Sequence, residues 1–188
     1  YEENQITDEN YSLEHLLPEL VQTIKVVEEQ NNCKIPIIAG GGIYDGEGMK
    51  RILDMGASAV QMGSIFVTTE ECDASPAFKE AYINATEQDV EIIKSPVGMP
   101  GRAIFSKFIQ SVKEGHEKPN GCPYHCIRTC DYTKSPYCII KALYNAYKGN
   151  FSKGYAFAGS NAFKADKIVT VKETIRNLME GFRKASAV

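Results

Sequence analysis

Apolar and polar positions change rhythm several times along this chain. From Leu13 to Ile24 the apolar residues Leu13, Leu16, Leu17, Leu20 and Ile24 recur near the helical period, with His15 inside the pattern. The rhythm gives way to an unbroken apolar run, Ile35-Pro36-Ile37-Ile38-Ala39, which stops at Gly40-Gly41-Gly42. Helical spacing returns over residues 46–55, with Met49, Ile52, Leu53 and Met55, and Gly56-Ala57 ends it. A second run, Ala59-Val60-Gln61-Met62, stops at Gly63-Ser64. Parallel strands are covered by helices on both faces and read as continuous apolar runs, so the pattern predicts two consecutive βα units. Glu70-Glu71 reads as the acidic opening of a further helix. Beyond Lys94 the expectation is an irregular stretch over 95–135, with helices at 101–114, 136–148 and 171–184. Thr170 is a candidate N-cap, and Glu173 would complete a capping box. The opening, Tyr1 to Tyr11, is polar and acidic and reads as a loop.

Two strands that each end in glycine bring bare backbone N–H groups to one edge of a sheet. That arrangement suits an anion, most often a phosphate. Gly40 to Gly42 tolerate positive φ and let a ligand approach the main chain. Ser64 adds a hydroxyl, and Tyr44 and Asp45 are placed to line the mouth of a pocket. The plainer reading is that the glycines serve only as tight βα turns.

Several segments together resemble one known family. They are Pro36-Ile37-Ile38-Ala39-Gly40-Gly41-Gly42-Ile43, Asp45-Gly46, Gly56-Ala57 and Val60-Gln61-Met62-Gly63-Ser64-x-Phe66. They resemble the last two βα units of the nitronate monooxygenase family, formerly called 2-nitropropane dioxygenase, which includes flavin-dependent enoyl-acyl-carrier-protein reductases. The match is looser over Pro96-x-Gly98-x-Pro100-x-Arg102, similar to the family's post-barrel segment. It is looser again at Ala158-Gly159-Ser160-Asn161, where many members have an alanine-glycine-glutamine step. The resemblance implies an FMN enzyme on a (β/α)8 barrel, with Gly41, Gly42, Gln61, Met62, Gly63 and Ser64 holding the FMN phosphate. It implies a small-molecule substrate, either an alkyl nitronate oxidised with O2 or an enoyl thioester reduced with NAD(P)H. A homodimer is a further possibility. The glycine pattern is also similar to the phosphate site of IMP dehydrogenase-type barrels and phosphosugar enzymes, where the anion belongs to substrate.

A complete barrel of this kind needs about 250 residues, and this chain has 188. The family's Gly-Gly-His segment, which supplies the catalytic base, has no counterpart here, so no residue of this chain is assigned as catalytic. We therefore expect an α/β C-terminal part of an FMN-binding (β/α)8 barrel, completed by the remainder of that barrel. Residues 1–94 would be its last βα units and residues 95–188 a mainly helical post-barrel segment. A fragment acting only as a structural or interaction piece is the third class of reading.

Composition narrows the partners. A formal charge of −3 and a pI near 5.7 give no electrostatic pull toward nucleic acid or anionic membranes. No apolar run reaches the roughly 20 residues of a membrane span, so the expected location is cytoplasmic. Cys122, Cys126, Cys130 and Cys138 cluster with His125 at spacings that differ from the usual zinc and ferredoxin patterns. Free, mostly buried thiols and no metal are expected, with Cys33 and Cys72 as packing residues. Arg102 reads as a structural pair or an anion contact, and His116 as solvated. Tyr137, Tyr144 and Tyr147 read as packing residues on one helix.

Overall fold

The computed structural model describes residues 9–122, 125–128 and 130–187. The loop reading of residues 1–8 lies outside them. Helix α1 runs Leu13–Asn31, and the Ser12 hydroxyl caps it by accepting from the His15 N–H at 3.3 Å. Strand β1 (Ile38–Gly40) pairs in parallel with β2 (Ala59–Gln61), matching Ile38 to Ala59, Ala39 to Val60 and Gly40 to Gln61. Between them lies helix α2, Gly46–Asp54, with Asp45 as its N-cap: the carboxylate accepts from the Gly48 N–H at 2.8 Å. Leu17, Ala39, Ile52 and Ala57 form the buried core where α1 and α2 meet this sheet.

Both expected βα units are present, with two corrections. The first strand is shorter than its apolar run. Proline has no N–H to give a ladder, and the Ile37 N–H bonds the Ser58 hydroxyl at 3.1 Å instead of a strand carbonyl. The runs are also not covered on both faces. Ala39 is buried, whereas Ile38 is 65% exposed and Ala59 and Gln61 are exposed. Helices cover one side of this pair and the other side is open.

A turn of 3-10 helix, Ser64–Phe66, follows β2. The predicted helix at Glu70-Glu71 does not form. The segment instead pairs with the approach to the last helix, α6 (Val171–Ser186), through the Glu70 N–H to the Val169 carbonyl at 2.9 Å. Both Glu71 carboxylate oxygens accept from the Val171 N–H, at 3.0 and 2.8 Å. The acid thus sits at a helix N-terminus, as its charge favours, but that helix lies a hundred residues downstream. The local helix, α3, starts later, at Pro76–Ile83, behind the Ser75 cap.

The expected helix over 101–114 is half strand. β3 (Val90–Lys94) pairs antiparallel with β4 (Pro100–Ile104), and helix α4 occupies only Lys107–Lys113 behind the Ser106 cap. Pro100 and Gly101 are poor helix residues, and tertiary contacts decide the matter. Ala103 is fully buried and bridges to Phe157, and the Ile104 N–H bonds the Ala156 carbonyl at 3.0 Å. Helix α5 is Ile139–Tyr147, within the expected 136–148, and α6 matches its expectation closely. The Thr170 hydroxyl accepts from the Glu173 N–H at 3.1 Å. The return arm of that capping box is not made, because the Glu173 carboxylate pairs with Lys167 and Arg176. Ile93, Ala103, Phe108, Tyr137 and Tyr155 centre a second core, and Tyr82, Ile104, Ala156 and Ala162 a third.

Candidate functional site

Parallel pairing of β1 with β2 places both glycine turns at the same edge, because both strands end there together. Gly41 and Gly42 adopt φ of 123° and 69°, the left-handed region that glycine enters without penalty. Gly63 differs: its φ is −122°, and it caps the Ser64–Phe66 turn. Among the described residues, the N–H groups of Gly42, Gly63 and Ser64 donate to no backbone carbonyl, whereas the ladder register sets the Gly41 N–H opposite the Gln61 carbonyl. A Cβ built on Gly41 or on Gly63 would meet nothing within 4 Å. The edge is therefore an open, donor-lined cradle whose floor is main chain.

A third segment closes the side of this cradle, Gly159-Ser160-Asn161. The Gly159 N–H donates to the Ser64 hydroxyl oxygen at 2.8 Å, and the Asn161 amide donates to the Gly42 carbonyl. A Cβ on Gly42 would lie 3.1 Å from the Ser160 hydroxyl, and one on Gly159 3.1 Å from that of Ser64. A hydroxyl has one proton and two acceptor sites. With one acceptor site filled by Gly159, the Ser64 proton remains free to donate into the cradle. The spacing of a hundred residues hides this link from sequence; the only signal was the alanine-glycine step at Ala158-Gly159. That step reaches the cradle because the Ala158 N–H bonds the Arg102 carbonyl at 2.9 Å, which ties it to β4.

The six residues singled out from sequence all fall at this edge. Gly41, Gly42, Gly63 and Ser64 line it. Gln61 ends β2, with its Cβ 3.4 Å from where a Gly40 side chain would begin, and Met62 follows half-buried. Tyr44 and Asp45 stand elsewhere. They line a cavity of about 1180 Å³ between α2 and α6, with Ile65, Thr68, Lys164 and Asp166. Asp45 pairs with Lys164 at 3.5 Å across it. Burial, with the nearby Asp166 charge, pushes the Tyr44 phenol up to about 12. This cavity is not lined by the glycine turns. It follows the groove where Gly46 and Gly181 let the two helices touch.

The remaining candidates resolve individually. Cys33 and Cys126 are exposed, not buried as expected, and Cys72, Cys122, Cys130 and Cys138 are half-buried. Among the described residues no group of His, Cys, Asp and Glu is arranged to hold a metal. Arg102 forms no ion pair among the described residues and contributes its carbonyl to the sheet. His116 is solvated beside Glu114 at 3.2 Å. Tyr137 is packed, 4% exposed, whereas Tyr144 lies 60% exposed on α5 under the Lys148 ammonium, contrary to a packing role. No helix among the described residues is long and apolar enough to cross a membrane.

Comparison with known proteins places this geometry. A family profile described as nitronate monooxygenase matches residues 4–181. A probable nitronate monooxygenase of Staphylococcus saprophyticus is 35% identical over 99 residues, 52% of this chain and 28% of that protein. One from Staphylococcus aureus strain Newman is 38% identical over 96 residues, 50% of this chain and 27% of that protein. FabK from Thermotoga maritima superposes with a TM-score of 0.72 at 25% identity, covering 94% of this chain and 50% of that one. A nitroalkane oxidase from Streptomyces ansochromogenes shares the fold, with a TM-score of 0.66 at 20% identity over 94% of this chain and 45% of that one. The chain thus spans about half the length of these solved structures, and the aligned part is little more than a quarter of the curated relatives. Open glycine turns at one sheet edge, in a chain matched nearly end to end by one profile, carry the assignment: this chain belongs to the nitronate monooxygenase family of flavin-dependent oxidoreductases.

Proposed function

We propose that this chain forms the phosphate-anchoring part of an FMN oxidoreductase that oxidises alkyl nitronates with O2. The observation that carries the proposal is the cradle itself. Among the described residues, the N–H groups of Gly42, Gly63 and Ser64 have no backbone carbonyl partner, and they lie with the Ser64 hydroxyl at the edge where two parallel strands end, with open space beside Gly41 and Gly63. Such a set suits the dianionic phosphate of FMN, since oriented amides favour negative charge. Gly42, Gly63 and Ser64 would donate to the phosphate, and Gly41, with φ of 123° and no neighbour beside it, would let it approach the main chain. Gln61 and Met62 would bring the chain from β2 to the turn, and Asn161 would hold Gly42 in register. When bound, the flavin supplies the electron-transfer chemistry, and the protein binds it, orients it and excludes water. The open face of β1–β2, with Ile38 65% exposed, fits completion by further strands of a (β/α)8 barrel. A catalytic base would come from those strands. Reduction of an enoyl thioester with NAD(P)H is the second reading, since the family resemblance covers such reductases as well. Steady-state assays with a nitronate plus O2, and with an enoyl thioester plus NAD(P)H, separate the two.

Gly63→Val tests the anchoring. Gly63 has a negative φ, outside the left-handed region reserved for glycine, and no neighbour within 4 Å of a new Cβ, so the variant should fold. Its side chain would fill the cradle. The intact enzyme carrying it should purify without flavin, and a flavin-to-protein ratio equal to wild type would overturn the assignment.

A further inference from the structure

Lys79, on α3, is a buried ammonium, 7% exposed, with no carboxylate paired to it among the described residues. A buried charge is costly unless it is satisfied. Its partners are carbonyls: Thr69 at 2.6 Å and Glu70 at 3.3 Å. Thr69 is itself 1% exposed, and its hydroxyl donates to the Phe66 carbonyl at 2.8 Å. The Phe66 N–H in turn donates to the Gly63 carbonyl at 3.0 Å. Lysine, threonine and turn form one hydrogen-bonded relay that ends at the glycine facing the cradle. The same short segment carries the pairing of Thr68 and Glu70 with Val169 and the Glu71 cap on α6. Nothing in the chemistry assigned above uses this ammonium, yet it sits where the second glycine turn is secured from behind.

We propose that Lys79 is a positioning residue for the phosphate cradle. It clamps the Thr69 and Glu70 carbonyls, and through the Thr69 hydroxyl holds the Gly63–Phe66 turn so that its free N–H groups converge. The inference rests on the phosphate reading of the glycine edge. It differs from a general stabilising role in one respect. A loosened turn should weaken recognition of the phosphate and leave recognition of the rest of the flavin alone. The methylene stem of Lys79 packs in the interior, so Lys79→Met keeps volume and removes the clamp. Thr69→Val keeps shape and removes only the link to Phe66.

The experiment measures FMN and riboflavin affinity by fluorescence quenching with the intact apo-enzyme, for wild type, Lys79→Met, Thr69→Val and Gly63→Val. Riboflavin lacks the phosphate and is the internal control. Loss of one aligned charge-assisted hydrogen-bond anchor is expected to weaken FMN binding about tenfold in Lys79→Met and about threefold in Thr69→Val, with riboflavin binding changed less than about twofold. Equal losses for both ligands, or no loss in either variant, would overturn the clamp. A Lys79→Met protein that does not fold leaves Thr69→Val to decide on the same terms. If the two variants keep their FMN preference while Gly63→Val loses it, the phosphate reading stands and the clamp falls. If wild type shows no preference for FMN over riboflavin, the phosphate reading itself fails and the clamp with it.

Discussion

At the scale of single residues, the glycines of the two turns are not equivalent. Gly42 has φ of 69° and a would-be Cβ only 3.1 Å from the Ser160 hydroxyl. Gly42→Ala should therefore cost about 1–2 kcal/mol through left-handed backbone strain alone. Gly63→Ala, at φ −122° and in open space, should stay within about 0.5 kcal/mol of wild type. Urea unfolding of both variants without flavin checks this contrast, and equal losses would contradict it. A second residue-scale effect lies at the corner from α1 to β1. The Glu28 carboxylate accepts from the Ile35 N–H at 2.7 Å and from Lys34 at 3.2 Å. These bonds, the backbone one first, hold its pKa below the ordinary 4.5. A depressed carboxylate stabilises the fold above its unfolded pKa, and that contribution is lost as pH falls through the folded value. Melting temperatures taken downward from neutral pH should thus fall less steeply below about pH 4.5 in Glu28→Gln than in wild type. Parallel curves would exclude the effect.

At the scale of elements, α6 is secured by groups far away in sequence, and its position depends on a close crossing. The Thr170 hydroxyl and the Glu71 carboxylate satisfy its first N–H groups. Thr170→Ala should lower unfolding stability by about 1 kcal/mol, within the usual range for a lost N-cap, as read by a shifted urea midpoint at unchanged slope. At the crossing, a Cβ on Gly46 would come within 2.2 Å of the Leu178 carbonyl oxygen and the Phe182 nitrogen. Backbone cannot retreat as a flexible side chain can, so the helices must separate. Helix propensity favours alanine over glycine by about 1 kcal/mol. Gly46→Ala should nonetheless destabilise, by about 1–3 kcal/mol, because overpacking dominates. A stabilised variant in the same unfolding assay would show that the crossing yields.

At the scale of the whole molecule, the two strands that build the cradle have an open side. Ile38 is 65% exposed, and Ala59 and Gln61 on the same face are exposed too. Apolar strand surface of this kind is ordinarily covered. On the proposed barrel reading the cover comes from further strands, which would also wall the flavin ring. Residues 1–188 expressed alone should therefore retain no stoichiometric flavin and show no nitronate-dependent O2 uptake. A monomeric, flavin-loaded and active fragment would refute that reading.

Local pattern was enough to place α1, α2, α6 and the two glycine-ended strands, because each is specified by residues a few positions apart. Helical period, side-chain caps and glycines at positive φ are all short-range signals. It was also enough to name Gly41, Gly42, Gly63 and Ser64 as one candidate site, since parallel strands of similar length end at a common edge. Tertiary structure alone decided the rest. Residues 100–104 became a strand because Ala103 and Ile104 find partners at Phe157 and Ala156. Glu71 caps a helix a hundred residues on, and Asn161 reaches Gly42 across a similar distance. Lys79 is buried among carbonyls that no local pattern marks. These are long-range hydrogen bonds whose partners meet only after the chain has packed. Periodicity carries information over a few turns of helix or a single strand, and it holds none about which distant loop will arrive to satisfy an unpaired group.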